Sequence, residues 1–153
     1  MGYVIVMIPL NLIESIKSYL AENSGTVYGS PEKKMHKDIV DSLRRNPGKI
    51  APDITDVFKD VDFLDGFGAK VNIDLVALSQ DCVYFIEARS SSSGSRSYKA
   101  NLKLRKALFS FQERFPGAAL SLYRAYMEHG KIKLEEVPIY DRQQRVMTTF
   151  HIL

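Results

Sequence analysis

The sequence predicts an α/β fold in which helices flank a mixed sheet. Three observations support this. Helix start and stop signals bracket two segments in the first third of the chain. Two β-prone runs meet at a short polar turn in the middle, and a long helical segment precedes a second pair of β-prone runs. At 153 residues the chain fits one compact domain, residues 1–153, with enough mass to bury a real core. Hydrophobic residues at 45% and charged residues at 25% are ordinary for a globular protein and exclude wholesale disorder.

The elements follow in order. Tyr3–Ile8 is rich in β-branched residues and reads as a buried strand or apolar edge. Asn11 followed by Glu14 resembles a capping box for a helix to about Glu22, with Leu12, Ile16, Tyr19 and Leu20 at helical spacing. Ser30 as N-cap, Pro31 at the first helical position and Glu32 at the positive end of the helix dipole open a second helix. It runs to Arg45 and stops at Asn46-Pro47-Gly48. Asp53 reads as the cap of a short third helix through Phe58. Val71–Ser79 and Cys82–Ala88 form a hairpin about Gln80-Asp81, and Ser90–Ser95 is a low-complexity loop. A helix from about Ser97 to Arg114 should bury Tyr98, Leu102, Leu108, Phe111 and Phe115, ending at Pro116-Gly117. Ala118–Met127 and Lys131–Ile139 close the sheet about Glu128-His129-Gly130. Residues 140–153 are either a docked tail or a strand paired elsewhere.

Several function classes are excluded. One cysteine, Cys82, permits no internal disulfide and no cysteine-rich zinc site, and it fits a reducing compartment. The apolar opening has no basic residue before it, is interrupted by Pro9, and is far shorter than the roughly 20 residues a bilayer requires. The expectation is a cytoplasmic protein with no membrane partner. No glycine-rich phosphate loop, nucleophile elbow or histidine pair with metal spacing is present.

The central hairpin carries the chemistry. With Gln80-Asp81 as a two-residue turn, Ser79 faces Cys82, and counting outward puts Asp74 opposite Glu87 and Asn72 opposite Arg89. Strand alternation places these four on one face, with opposed Cβ atoms roughly 5 Å apart. Two opposed carboxylates repel, and the surrounding Ile73, Leu75, Val76, Phe85 and Ile86 make unpaired charge costly. A shared divalent cation relieves both problems. Magnesium suits a site with few carboxylates, because it takes oxygen ligands and keeps several waters. The bland reading is a pair of solvated charges that Arg89 neutralises, and a one-residue change in the turn would separate them onto opposite faces.

The runs Gly68-Ala69-Lys70-Val71-Asn72-Ile73-Asp74-Leu75-Val76-Ala77 and Val83-Tyr84-Phe85-Ile86-Glu87-Ala88-Arg89-Ser90-Ser91 resemble the core of the PD-(D/E)XK nuclease superfamily. That superfamily includes restriction enzymes, archaeal junction resolvases and RecB-like nucleases, and the flavour here is closest to small archaeal or archaeal-virus proteins. The resemblance spans residues 66–116 and implies a restriction-endonuclease-like sheet and hydrolysis of DNA, duplex or branched, with Mg²⁺ or Mn²⁺. For a viral protein the location would be the host cytoplasm. It implies Asp74 and Glu87 as metal ligands, with the Ala88 carbonyl as a third. Glu32, from the first core helix, is implied as a further acid; its alternative role is a wet first-turn partner of the helix dipole. Many relatives act as dimers, so a homodimer is also implied. Arg89 departs from the family lysine, which is thought to position or activate the attacking water. Arginine can clamp phosphate oxygens but stays protonated, so it cannot act as a base.

From Ala88 to Gln112 there are six basic residues, Arg89, Arg96, Lys99, Lys103, Arg105 and Lys106, and no acidic one. Lys99, Lys103 and Lys106 line one helical face and, with Arg96 and the serine loop, suit a nucleic-acid backbone. The alternatives are a catalytically inactive nucleic-acid-binding relative and a protein-interaction module.

Overall fold

The computed structural model describes residues 8–25, 34–89, 95–140 and 146–147. Helices α1 (Leu10–Glu22) and α2 (Lys34–Arg45) come first, and a single 3₁₀ turn at Pro47–Lys49 follows where Asn46-Pro47-Gly48 was expected to stop α2. Then come β1 (Asp56–Leu64), β2 (Lys70–Leu78), β3 (Val83–Ala88), α3 (Ser95–Arg114), β4 (Leu120–Glu128) and β5 (Lys131–Val137). Two short strands, β6 (Ile139–Tyr140) and β7 (Val146–Met147), pair with each other. Of the predicted opening strand only Ile8 is described; it is buried, and its amide bonds to Gln80.

The five main strands form one sheet in the order β1-β2-β3-β4-β5. Every neighbouring pair is antiparallel except β3–β4, which is parallel and joined through α3. Helices cover both faces, so the sheet is the middle of three layers. On one side Ile16 and Leu20 of α1 and Leu104, Leu108 and Phe111 of α3 pack on Phe63, Ile73 and Phe85. On the other, Ile39, Val40 and Leu43 of α2 pack on Leu75, Ile86, Ala88 and Ala125. Phe111 is the hub of the first layer, meeting Phe85 and Phe63 edge-on.

Four expectations are corrected. Residues 53–58 do not form a helix: Asp56 begins β1, because pairing of eight of its nine residues with β2 outweighs one local capping signal. The Asn11–Glu14 capping box is absent; α1 starts at Leu10, with Pro9 in the cap position and no side-chain cap, so Asn11 is already inside the helix. Tyr98 and Leu102 are not core residues, being 68% and 41% exposed; Leu108, Phe111 and Phe115 are buried as expected, and Ala100, Leu104 and Ala107 join them. Met35, whose helical spacing with Ile39, Val40 and Leu43 predicts a place in one inward stripe of α2, is exposed while the other three are buried.

One irregularity shapes the sheet near the expected site. Val71 and Ile73 share a core layer with Val76 and Leu78, whereas Leu75 belongs to the opposite layer, so the alternation of β2 slips a step at Asp74. β1 carries the matching defect. Its register runs through Lys59↔Leu75 and resumes at Val61↔Ile73, leaving Asp60 and Asp74 level with each other but outside the regular pairing. Asp60 has a φ of 51°, the left-handed region that aspartate tolerates better than most residues.

Candidate active site

The turn that sets the hairpin register is held by one hydroxyl. Ser79 Oγ accepts from the amides of Asp81 (3.3 Å) and Cys82 (3.1 Å) and donates to Asp81 Oδ1 (2.5 Å). The amide of Ser79 donates to the Cys82 carbonyl at 2.9 Å. This Ser-turn chemistry supplies a two-residue loop without the usual glycine. Pairing then runs from Leu78↔Val83 to Leu75↔Ile86, the register counted from the sequence.

Beyond Leu75↔Ile86 side chains replace the backbone ladder. The Asp74 amide donates to Glu87 Oε1 at 2.9 Å, and the Ala88 amide donates to Asp74 Oδ2 at 2.9 Å. Each carboxylate therefore reaches across to the other strand, and the two acids sit together where β2 and β3 part. Asn72 does not join them; past the slip at Asp74 its amide donates to Asp62 on β1 at 3.1 Å.

Glu87 is fully buried, and two cations converge on its second oxygen. Lys103 Nζ, from α3, lies 3.0 Å from Oε2, and Arg89 Nη2 lies 3.1 Å from the same atom. Arg89 also donates to the Ala88 carbonyl at 3.2 Å, and its backbone amide bonds to Ala125 of β4. The side chain of Lys103 is 38% exposed and that of Arg89 16% exposed, so the cluster opens to solvent on the side of α3. Burial pushes the Glu87 carboxyl up to about 7, and neighbouring Asp74 adds to the rise. Lys103, Arg89 and the bond from the Asp74 amide oppose it. Asp60 is also raised, first by burial and then, against the pull of Lys59, by Asp74 and Asp62.

The structure thus brings Asp74, Glu87, Ala88 and Arg89 together. It adds Lys103, which was expected only on the basic face of α3. Lys99 and Lys106 are exposed, as that face requires. Glu32 lies outside the described residues, as does the side chain of Arg96 in the first turn of α3. The reach of Lys103 to Glu87 and the position of Asp60 beside Asp74 were not anticipated. The helix expected at 53–58 concealed the strand that carries Asp60. Nothing local marks Lys103, whose contact with Glu87 depends on how α3 crosses the sheet.

The donors suit a hard cation. Two carboxylates and the Ala88 carbonyl are all oxygen ligands, and the buried Glu87 carries a cost when ionised that a cation would offset. Among the described residues, no group of three or more His, Cys, Asp or Glu side chains is arranged to hold a metal, so such an ion would keep most of its ligands as water. A groove of about 1000 Å³ lies elsewhere, between α2 and the β4–β5 turn, and none of the carboxylate-site residues lines it. Comparison with family models, with curated proteins and with solved structures finds no match to this chain. No helix among the described residues is long and apolar enough to cross a membrane.

Proposed function

We propose that this protein is a divalent-metal-dependent nuclease that hydrolyses DNA phosphodiester bonds with little sequence specificity. The observation that carries the reading is the pair Asp74–Glu87, set side by side at the parting of β2 and β3, with two cations on the buried member. β2, β3 and α3 follow in the order expected of a PD-(D/E)XK core: a strand with one acid, a strand ending in Glu-x-Arg, then a basic helix. A restriction-endonuclease-like sheet is the finer fold assignment that goes with this reading. Asp74, Glu87 and the Ala88 carbonyl would hold Mg²⁺ or Mn²⁺, which supplies Lewis-acid stabilisation and an acidified bound water.

The protein's own groups account for the remaining needs. Arg89 cannot give up its proton and serves as a fixed positive charge for a phosphate oxygen. Lys103 brings an ammonium to the same carboxylate from α3. On this reading Lys103 would stand in for the lysine that the resemblance expects at position 89. Lys99 and Lys106 extend the positive surface along the backbone.

The test is a cleavage assay on linear and branched DNA with Mg²⁺ or Mn²⁺. Activity should depend on the metal and fall at least a hundredfold in Glu87→Ala; full activity in that variant would sink the assignment. A second reading, a nucleic-acid-binding module without turnover, draws on the same ion pairs, because Lys103 and Arg89 already neutralise Glu87 with no metal. Salt-dependent DNA binding without cleavage in either metal would favour it.

A further inference from the structure

Helix α3 turns an apolar stripe away from the core. At roughly 100° per residue, Tyr98, Leu102 and Phe109 fall within an arc of about 40°, opposite the side that carries Ala100, Leu104, Ala107 and Phe111. They are 68%, 41% and 57% exposed. With a rise of about 1.5 Å per residue, the two aromatic rings are anchored about 16 Å apart along the helix. Aromatic groups this exposed, aligned on one helix of a small domain, mark a binding surface.

The flank of the stripe identifies what it binds. Lys99, Lys103 and Lys106 follow one another at spacings of four and three beside it, Lys99 and Lys106 exposed and Lys103 reaching Glu87. No acidic residue occurs between Ala88 and Gln112. Charge complementarity therefore calls for a polyanion. A duplex offers lysines its phosphates, but it keeps its base faces stacked inside and gives exposed aromatic rings little to cover. A single strand presents phosphates and base faces together, and each base stacked on an aromatic ring is stabilised without regard to sequence. The separation of Tyr98 and Phe109 suits a few extended nucleotides.

We propose that the outer face of α3 binds unpaired nucleotides, with bases on Tyr98 and Phe109 and phosphates on Lys99 and Lys106, and delivers the strand to the Asp74–Glu87 pair. This rests on the reading of the protein as one that acts on nucleic acid. It narrows the substrate class to single-stranded, flapped or branched molecules over fully paired duplex. Leu102 fills the stripe between the rings, and Lys103 links it to the carboxylates.

The experiment is fluorescence anisotropy on the full chain in EDTA, which keeps binding separate from cleavage. The probes are a labelled oligothymidylate and a labelled duplex of similar length. The wild type should favour the single strand by tenfold or more. Tyr98→Ala and Phe109→Ala should each weaken single-strand binding by roughly 5- to 100-fold, the range for loss of one base–aromatic stack. Duplex binding should stay within about twofold, and Tyr98→Trp should retain the preference. Lys99→Gln and Lys106→Gln should weaken both probes and flatten the salt dependence. Equal losses on both probes, no loss, or no binding of the single strand in low salt would overturn the proposal. So would a concentration-dependent dimer that Phe109→Ala abolishes, since the stripe would then be a self-association surface. Cleavage by the wild type that survives intact in Glu87→Ala, with the single-strand preference preserved, overturns the nuclease assignment and leaves this one standing.

Discussion

Glu87 should make the stability of this protein fall as pH rises through neutrality, and a bound divalent ion should reverse the effect. The carboxyl is fully buried, and its pKa is pushed from the ordinary 4.5 up to about 7, first by burial. In the folded chain it keeps its proton between those values, whereas the unfolded chain has released it. Folding is therefore favoured below about pH 4.5, and that contribution is lost progressively up to about pH 7. The loss is about 3 kcal/mol, a large share of the roughly 5–15 kcal/mol that holds a domain together. Urea unfolding from pH 4.5 to 8 measures it, with Glu87→Gln as the reference. That variant keeps an acceptor for the Asp74 amide and cannot ionise; the cost of leaving Lys103 and Arg89 without their partner is constant over the range. The wild type minus the variant should thus decline by about 3 kcal/mol toward pH 8. Mg²⁺ at a hundred times its dissociation constant should then restore about 2.7 kcal/mol to the wild type alone. Curves that stay parallel within about 0.5 kcal/mol would refute the account of burial. Failure of the metal arm alone would refute the ligand assignment.

Two further predictions concern the frame that holds the site. Asp60→Val should cost about 1–2 kcal/mol in urea unfolding, because a β-branched residue is forced to a positive φ, while Asp60→Gly should be nearly neutral. Phe111→Ala should cost about 3–5 kcal/mol by the same measurement, since its ring is fully buried against Phe63, Phe85 and Phe115 and α3 cannot collapse inward without losing them.

The positions of the carboxylate pair were legible in the sequence because hairpin register is local information. A two-residue turn with a hydroxyl acceptor at Ser79 commits every later pair, so Asp74 and Glu87 could be placed by counting. What counting could not supply was the slip at Asp74. It arises from a matched defect in β1, a strand that reads locally as a capped helix because Asp53 and the acidic stretch after it imitate a first turn. The burial of α3 was misjudged for a related reason. Tyr98 and Leu102 read as core by their bulk and spacing, but the helix packs on the sheet through Leu104, Ala107, Leu108 and Phe111. That packing turns Tyr98, Leu102 and Phe109 outward.

The same packing of α3 bears on the arginine at position 89. Read along the chain, arginine after Glu87-Ala88 stands where the resemblance expects a lysine. Read in space, Lys103 lies 3.0 Å from Glu87, on a helix that Leu104 and Ala107 seat against the sheet. On the nuclease reading, its ammonium and the Arg89 guanidinium would together stand where the resemblance expects one lysine. The arrangement would also tie chemistry to binding. Lys103 is the member of the basic flank that points inward, between Lys99 and Lys106, which point out. A strand lying along α3 would draw phosphate toward Lys103 and compete with Glu87 for it, so loading the helix would free the carboxylate for a cation.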